Sequence, residues 1–203
     1  SAGLPVPPGF VVLRDSYLES VIGAGVAEDL NAAHREAMRA GDQDKQTEMC
    51  TAMKALVLRA GMSAEVRDRI LAAYRAMGSN VNVAVRSSAT GEDGADASFA
   101  GMNATFTNIC GEEQLIDAVQ RCWASLFGPR VVTYRASRGF TADPAMAVVV
   151  QQMIAAERSG VAFTADPTTD ATDRVVVVAH HAELDGVPVA TLVDLDATGS
   201  ESS

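Results

Sequence analysis

The stretch Val83-Ala84-Val85-Arg86-Ser87-Ser88-Ala89-Thr90-Gly91-Glu92-Asp93 delivers an arginine from the end of an apolar run into a segment of hydroxyls, a glycine and small residues. That composition suits an anion. Arginine offers a planar fork of N–H donors that matches phosphate oxygens, and backbone N–H groups with Ser or Thr hydroxyls complete the shell without bulk. A plainer arrangement uses the same residues: Arg86 pairs with Glu92 or Asp93 and pins the loop. Spacing alone leaves both open.

The elements around Arg86 must hold it at a strand end. Val81, Val83 and Val85 alternate with smaller or polar residues, Ser87 to Gly101 has loop composition, and Ala104 to Ile109 is again strand-like. A loop of that length between two buried strands is uncommon unless it is functional. Upstream, Phe10 to Leu13 reads as a short strand after a Pro- and Gly-rich start. Ser16 and Glu19 have capping-box spacing for a helix. From Val26 to Gly78 the composition predicts three helices, with breaks at Gly41-Asp42 and Gly61 and with Ser63 as a cap. The Met and Leu positions there, Met49, Met53, Leu56 and Leu58, read as core. An amphipathic helix is expected over Glu112 to Phe127, closed by Gly128-Pro129, and another from Arg130 to Gly139. Ala145–Ile154, Gly160–Thr164, Arg174–Ala179 and Val187–Leu195 are the remaining strand candidates. The first and third have the near-continuous β-branched character of central, doubly buried strands.

Bulk properties narrow the function. The 203 residues are 48% hydrophobic and carry a formal net charge of −10, with 16 scattered basic residues. A nucleic-acid footprint is therefore missing, and an anionic ligand needs a locally built positive site. Cys50, Cys110 and Cys122 form no C-x-x-C pair, which fits a reducing cytoplasm. No apolar run is long enough for a bilayer span. His180-His181 would point to opposite faces of a strand, with no third metal ligand nearby.

VRSSATGEDGADASFAGMNATFTN, from Val85 to Asn108, resembles the signature of the phosphoenolpyruvate synthase (pyruvate, water dikinase) family, which rifampin phosphotransferases and pyruvate phosphate dikinases share. Three more stretches agree in order: GLPVPPGFVV at 3–12, WASLFGPRVVTYR at 123–135 and VVVQQMIAAERSGVAFTADP at 148–167. The resemblance implies an α+β, ATP-grasp fold that holds ATP between two lobes. These are expected as 3–110, with the helical segment and phosphate loop, and 111–195, with the hinge strand, ahead of a disordered 196–203. It implies that Arg86 touches the phosphates, that Gly101 and Thr105 close over the nucleotide, and that Gln151, Met153 and Ile154 form the hinge that reads adenine. Met102-Asn103 replaces the Gln-rich pair of relatives, and Gln152 stands where they often carry a basic residue.

ATP and Mg²⁺ are the implied cofactors, with no magnesium ligand identifiable. The resemblance also implies a lysine-bearing GGK-type segment before Gly3, a WGLGE-type segment after Ala179, and phosphohistidine and phosphoenolpyruvate/pyruvate domains, none of which matches these 203 residues. The expectation is the ATP-binding part of an enzyme that passes phosphate from ATP to a histidine and on to pyruvate, inactive as this chain alone. A rifampin phosphotransferase-like acceptor, or a degenerate stand-alone nucleotide-binding or interaction module, are the alternatives.

Overall fold

The computed structural model describes residues 5–89, 104–156, 158–163, 165, 172, 174–184 and 187–196. The chain is α+β, with every strand pairing antiparallel. In order come β1 (Gly9–Val12), α1 (Arg14–Gly23), α2 (Ala27–Arg39), α3 (Gln43–Ala60), α4 (Ala64–Met77), β2 (Val83–Ala89), β3 (Thr105–Ile109), α5 (Glu112–Ser125) and α6 (Pro129–Ser137). Then follow β4 (Met146–Gln152), β5 (Arg158–Phe163), β6 (Arg174–Leu184) and β7 (Val187–Asp196). Two compact units result, Ser1–Met153 and Ile154–Ser203. The lobe boundary expected at 110/111 falls between β3 and α5, inside the first unit. Of residues 196–203, expected as a disordered tail, Asp196 ends β7 and 197–203 lie outside the described residues.

The first unit is a four-stranded sheet, β1-β4-β2-β3, with helices on one face. Its second strand in space is the apolar run at 146–152, whose alternate residues Met146, Val148 and Val150 are buried while Ala147, Val149 and Gln151 are half-exposed. β4 is thus central, as its composition indicates, and among the described residues the helices pack on one of its faces, while Ala147, Val149 and Gln151 on the other are half-exposed. A run of β-branched residues reports strand propensity and cannot say which faces a helix will cover. The second unit is the sheet β5-β6-β7.

Helices α1, α4 and α5 pack on the strands, and α2, α3 and α6 pack on one another and on that layer. Trp123 and Phe127 are fully buried, and Trp123 meets Tyr17 edge-to-face at 5.7 Å. Aromatic pairs in this arrangement add to what their buried area contributes. Ser63 caps α4 through the Val66 N–H, as its position predicts, and Asp42 caps α3 by accepting from the N–H groups of Asp44 and Lys45. The expected Ser16–Glu19 capping box does not form. Leu13 follows β1 in an extended conformation and is itself the N-cap, with no side-chain cap, so Ser16 falls inside the first turn of α1. Asp15 supplies the negative charge that the helix N-terminus favours.

His34, on α2, is 2% exposed and stacks edge-to-face on Phe127 at 6.0 Å. Burial, then the nearby Arg135 guanidinium, pulls its pKa down from 6.5 to about 4. Because the folded state holds His34 neutral, the unfolded chain binds the extra proton between these values. This part of the stability is complete above pH 6.5 and is lost as pH falls toward 4, by up to about 3 kcal/mol. Urea denaturation across that range should give a steeper acid-side loss in the native sequence than in His34→Phe. Equal slopes would show that the ring titrates freely in the folded chain.

Candidate functional site

The face of the first unit's sheet away from the helices collects the residues of interest. Arg86 on β2 lies directly opposite Thr105 on β3 and opposite Val149 on β4, and both Arg86 and Thr105 are exposed. One pair further along, Ala84 sits opposite Gln151, which in turn faces Gly9 on β1. Cross-strand neighbours project to the same face with Cβ atoms about 5 Å apart. Arg86, Thr105, Val149 and Gln151 therefore share one surface. Pro7, Gly9, Val11, Val149 and Gln151 line a depression of about 190 Å³ beside them.

What sets Arg86 opposite Thr105 is a β-bulge. Val83 faces Ile109, yet Val85 faces Phe106, so two steps on β2 are matched by three on β3. The extra residue is accommodated around Asn108, which has φ 57°. Asparagine is among the few L-residues that enter this left-handed region readily. Continued without the bulge, the register would place Phe106 against Arg86. With it, Phe106 stays half-buried against the core and Thr105 takes the place opposite Arg86. The neighbouring Ser87 turns to the buried side, where its Oγ accepts from the Ala104 N–H at 2.8 Å and its own N–H donates to the Ala104 carbonyl at 2.9 Å. The two ends of the loop are thereby fastened together at the base of the site.

The first strand is held against β4 just as closely. A Cβ on Gly9 would collide with the Val150 carbonyl oxygen and come within 3.0 Å of the Gln151 Cα. Gln152 donates its N–H to the Pro8 carbonyl at 2.9 Å, and the Gln151 side chain donates to the Pro7 carbonyl at 3.3 Å. Gln151 thus has a structural role in fixing the Pro-rich segment. The Met153 N–H donates to the Asn82 carbonyl at 2.8 Å, and after it the chain leaves the sheet, with Ile154 61% exposed. Tyr74 fixes the other approach to β2: its hydroxyl donates to the Val81 carbonyl at 2.7 Å and accepts from the Gly111 N–H at 3.0 Å.

Arg86 forms no ion pair with a described residue. Glu92 and Asp93, its alternative partners, lie outside the described residues, as does Gly101. The structure therefore brings Arg86, Thr105 and Gln151 onto one face, with Met153 and Ile154 at the end of the same strand. Sequence reasoning passed over Asn108 and Ser87. Asn108 closes the quoted signature, and asparagine's tolerance of positive φ is the signal that points to a bulge there.

The profile of the family described as pyruvate phosphate dikinase, AMP/ATP-binding domain, matches residues 1–187. The chain belongs to this family. Among its relatives is a phosphoenolpyruvate synthase of Aeropyrum pernix, 39% identical over 182 residues, which takes in 87% of this chain and 22% of the relative. A probable phosphoenolpyruvate synthase of Methanocaldococcus jannaschii is 38% identical over 88% of this chain and 16% of its own length. One from Archaeoglobus fulgidus is 40% identical over 83% of this chain and 23% of its own. The chain thus spans about a fifth of the length of these relatives, and the family match takes in the first unit and the second as far as residue 187.

In this dikinase-type domain the bulge should be separable from the hydrogen bonds around it. Asn108→Gly should fold with near-native stability, whereas Asn108→Val, which forces a β-branched residue to positive φ, should lose roughly 1–2 kcal/mol in chemical denaturation. Equal stability of the two variants would mean that the left-handed turn does not set the register.

Proposed function

We propose that this chain is the ATP-binding part of a phosphoenolpyruvate synthase-like phosphotransferase, and that the open face of the four-stranded sheet takes the nucleotide's phosphates. The observation that carries this reading is the placement of Arg86 against Thr105, exposed and on one surface, in a chain of the AMP/ATP-binding family. Arginine and threonine side chains whose Cβ atoms are about 5 Å apart give a polyphosphate one charged bidentate donor and one neutral donor. The chain as a whole is acidic, at −10, so affinity for an anion rests on such local donors.

In the proposed ATP-grasp arrangement the lobes are residues 3–110 and 111–195, Gly101 lets backbone approach the phosphates, and the turn at Gln151, Met153 and Ile154 takes the adenine. Gln151 acts by holding the Pro7 segment, because its side-chain N–H₂ is engaged there. The half-buried Met153 side chain supplies an apolar surface for the ring. Among the described residues no group of three or more His, Cys, Asp or Glu side chains is placed to hold a metal ion. Glu92 and Asp93 lie outside the described residues, and no step is assigned to Mg²⁺.

In the longer protein, phosphate passing from ATP to a histidine and on to pyruvate would require phosphohistidine and pyruvate domains outside this chain. The phosphoenolpyruvate synthases among the relatives support that assignment. A cytoplasmic setting fits the three free cysteines. Among the described residues no helix is long and apolar enough to cross a membrane.

Calorimetric titration with ATP and magnesium in low-phosphate buffer should give saturable binding. Arg86→Ala should weaken it by roughly 10- to 100-fold, the worth of a charge-assisted bond, and Thr105→Val by less. Absence of heat up to millimolar nucleotide, or an Arg86→Ala variant that binds as well as the native chain, would defeat the assignment.

A further inference from the structure

The helical layer of the first unit contains a cavity of about 300 Å³ that shares no residue with the open sheet face. It is lined by α2 through His34, Arg35, Met38 and Arg39, by Ala136 of α6, and by the segment 139–143. One buried polar side chain in its wall, His34, and one next to the lining residue Ala136, Arg135, lack partners that such groups ordinarily have. His34 is 2% exposed, its Nε2 has no hydrogen-bond partner, and among the described residues neither ring nitrogen forms a hydrogen bond. Arg135, 6% exposed, donates one terminal N–H to the Ala142 carbonyl, while its Nε has no partner. A buried polar group left unpaired costs on the order of 1–3 kcal/mol, so the unpaired His34 ring in the cavity wall calls for an occupant.

We propose that this cavity is a second binding site, for a small organic carboxylate with an apolar body. The charges select the sign. Arg35 and Arg39 line it at exposed positions, and the Arg135 guanidinium lies 5.3 Å from the ring centroid of the lining Phe140, against a single lining carboxylate, Asp143. Asp143 is already committed to Arg35 at 3.3 Å and to the Asn31 side chain at 2.9 Å, whereas Arg39 has no ion pair among the described residues.

Neutral imidazole presents one N–H, and a carboxylate oxygen is the acceptor it lacks. Arg39 can hold the other oxygen, a charge-assisted contact that an alcohol would not repeat. The rest of the wall is apolar, from Met38, Ala136, Phe140 and Ala142, and the volume greatly exceeds that of a bare inorganic anion. A body of a ring or a branched chain fills it.

The probe is benzoate, titrated into the chain near neutral pH while the ring C–H signals of His34 are followed by NMR. Benzyl alcohol and inorganic phosphate serve as controls. Benzoate should shift those signals saturably with a Kd on the order of 1 mM, appropriate to nine heavy atoms. Arg39→Gln, at an exposed position, should weaken binding at least about tenfold, and Arg86→Ala should leave it unchanged. In His34→Phe, followed through the Ala142 methyl group, the response should disappear. The proposal is overturned if benzoate gives no saturable shift up to roughly 20 mM, in which case water alone satisfies the two groups. A response to benzyl alcohol equal to that of benzoate would reject the anion contact, and an equal response to phosphate would reject the apolar body. Unchanged benzoate binding in Arg39→Gln would place the ligand elsewhere.

Discussion

Period-two alternation on the central strand is the constraint from which the first unit follows. β4 is hydrogen-bonded on both edges, to β1 and to β2, so each of its residues is committed either to the helices or to the open face. Met146, Val148 and Val150 take the covered side against a layer that contains Trp123 and Phe127. Val149 and Gln151 must then take the other. A slip of one residue would bury Gln151 and expose the valines, an exchange that the packing behind the sheet forbids. The position of Arg86 is inherited from that choice, because β2 is registered on β4 through seven consecutive pairs from Val83 to Ala89.

The electrostatics of the surface follow a second rule. Many of the exposed arginines have a carboxylate at hand: Arg69 with Glu19, Arg75 with Glu112, Arg121 with Asp117, and Arg35 with Asp143. The Arg75 guanidinium meets both Glu112 oxygens, at 2.6 and 2.9 Å, and these hydrogen bonds hold that carboxyl below its ordinary pKa. Exposed pairs of this kind contribute little to stability. Their effect is to neutralise, so that local positive potential persists where an arginine stands without a partner. Among the described residues Arg86 and Arg39 are two such positions, one on the open sheet face and one lining the helical cavity.

Much of this architecture was legible because local chemistry determined it. Gly41-Asp42, Gly61 and Ser63 divide the helices where they do because asparate and serine side chains satisfy the first N–H groups and glycine closes the preceding turn. The apolar spacing of Leu115, Val119, Cys122 and Trp123 located the helix that backs the sheet. What was not legible depends on residues distant in sequence. Ser16 and Glu19 have the spacing of a capping box, but β1 ends only two residues before the helix begins, and Leu13 is already extended. The valines of β4 looked doubly buried because their composition carries no record of which face the helices leave bare. His34 is a polar residue on a surface-like helix until Phe127, far along the chain, closes over it. At the site, Arg86 and Thr105 were readable from the family signature, whereas the bulge that pairs them required the observed register.

The end of β4 limits how the proposed hinge can work. Met153 spends its N–H on the Asn82 carbonyl, which ties the strand's exit to the approach of β2, and Gln152 spends its own on Pro8. An adenine that used the Met153 N–H would first have to displace Asn82 and would gain no net hydrogen bond. The Ile154 carbonyl is likewise occupied, by the Ala156 N–H at 2.9 Å. In the proposed hinge, backbone recognition of adenine therefore has to use groups other than the Met153 N–H and the Ile154 carbonyl, both of which are engaged. The same bonds that remove Met153 as a donor hold its half-buried side chain in place. Met153 there contributes a fixed apolar surface, and the specificity for adenine depends on those other groups.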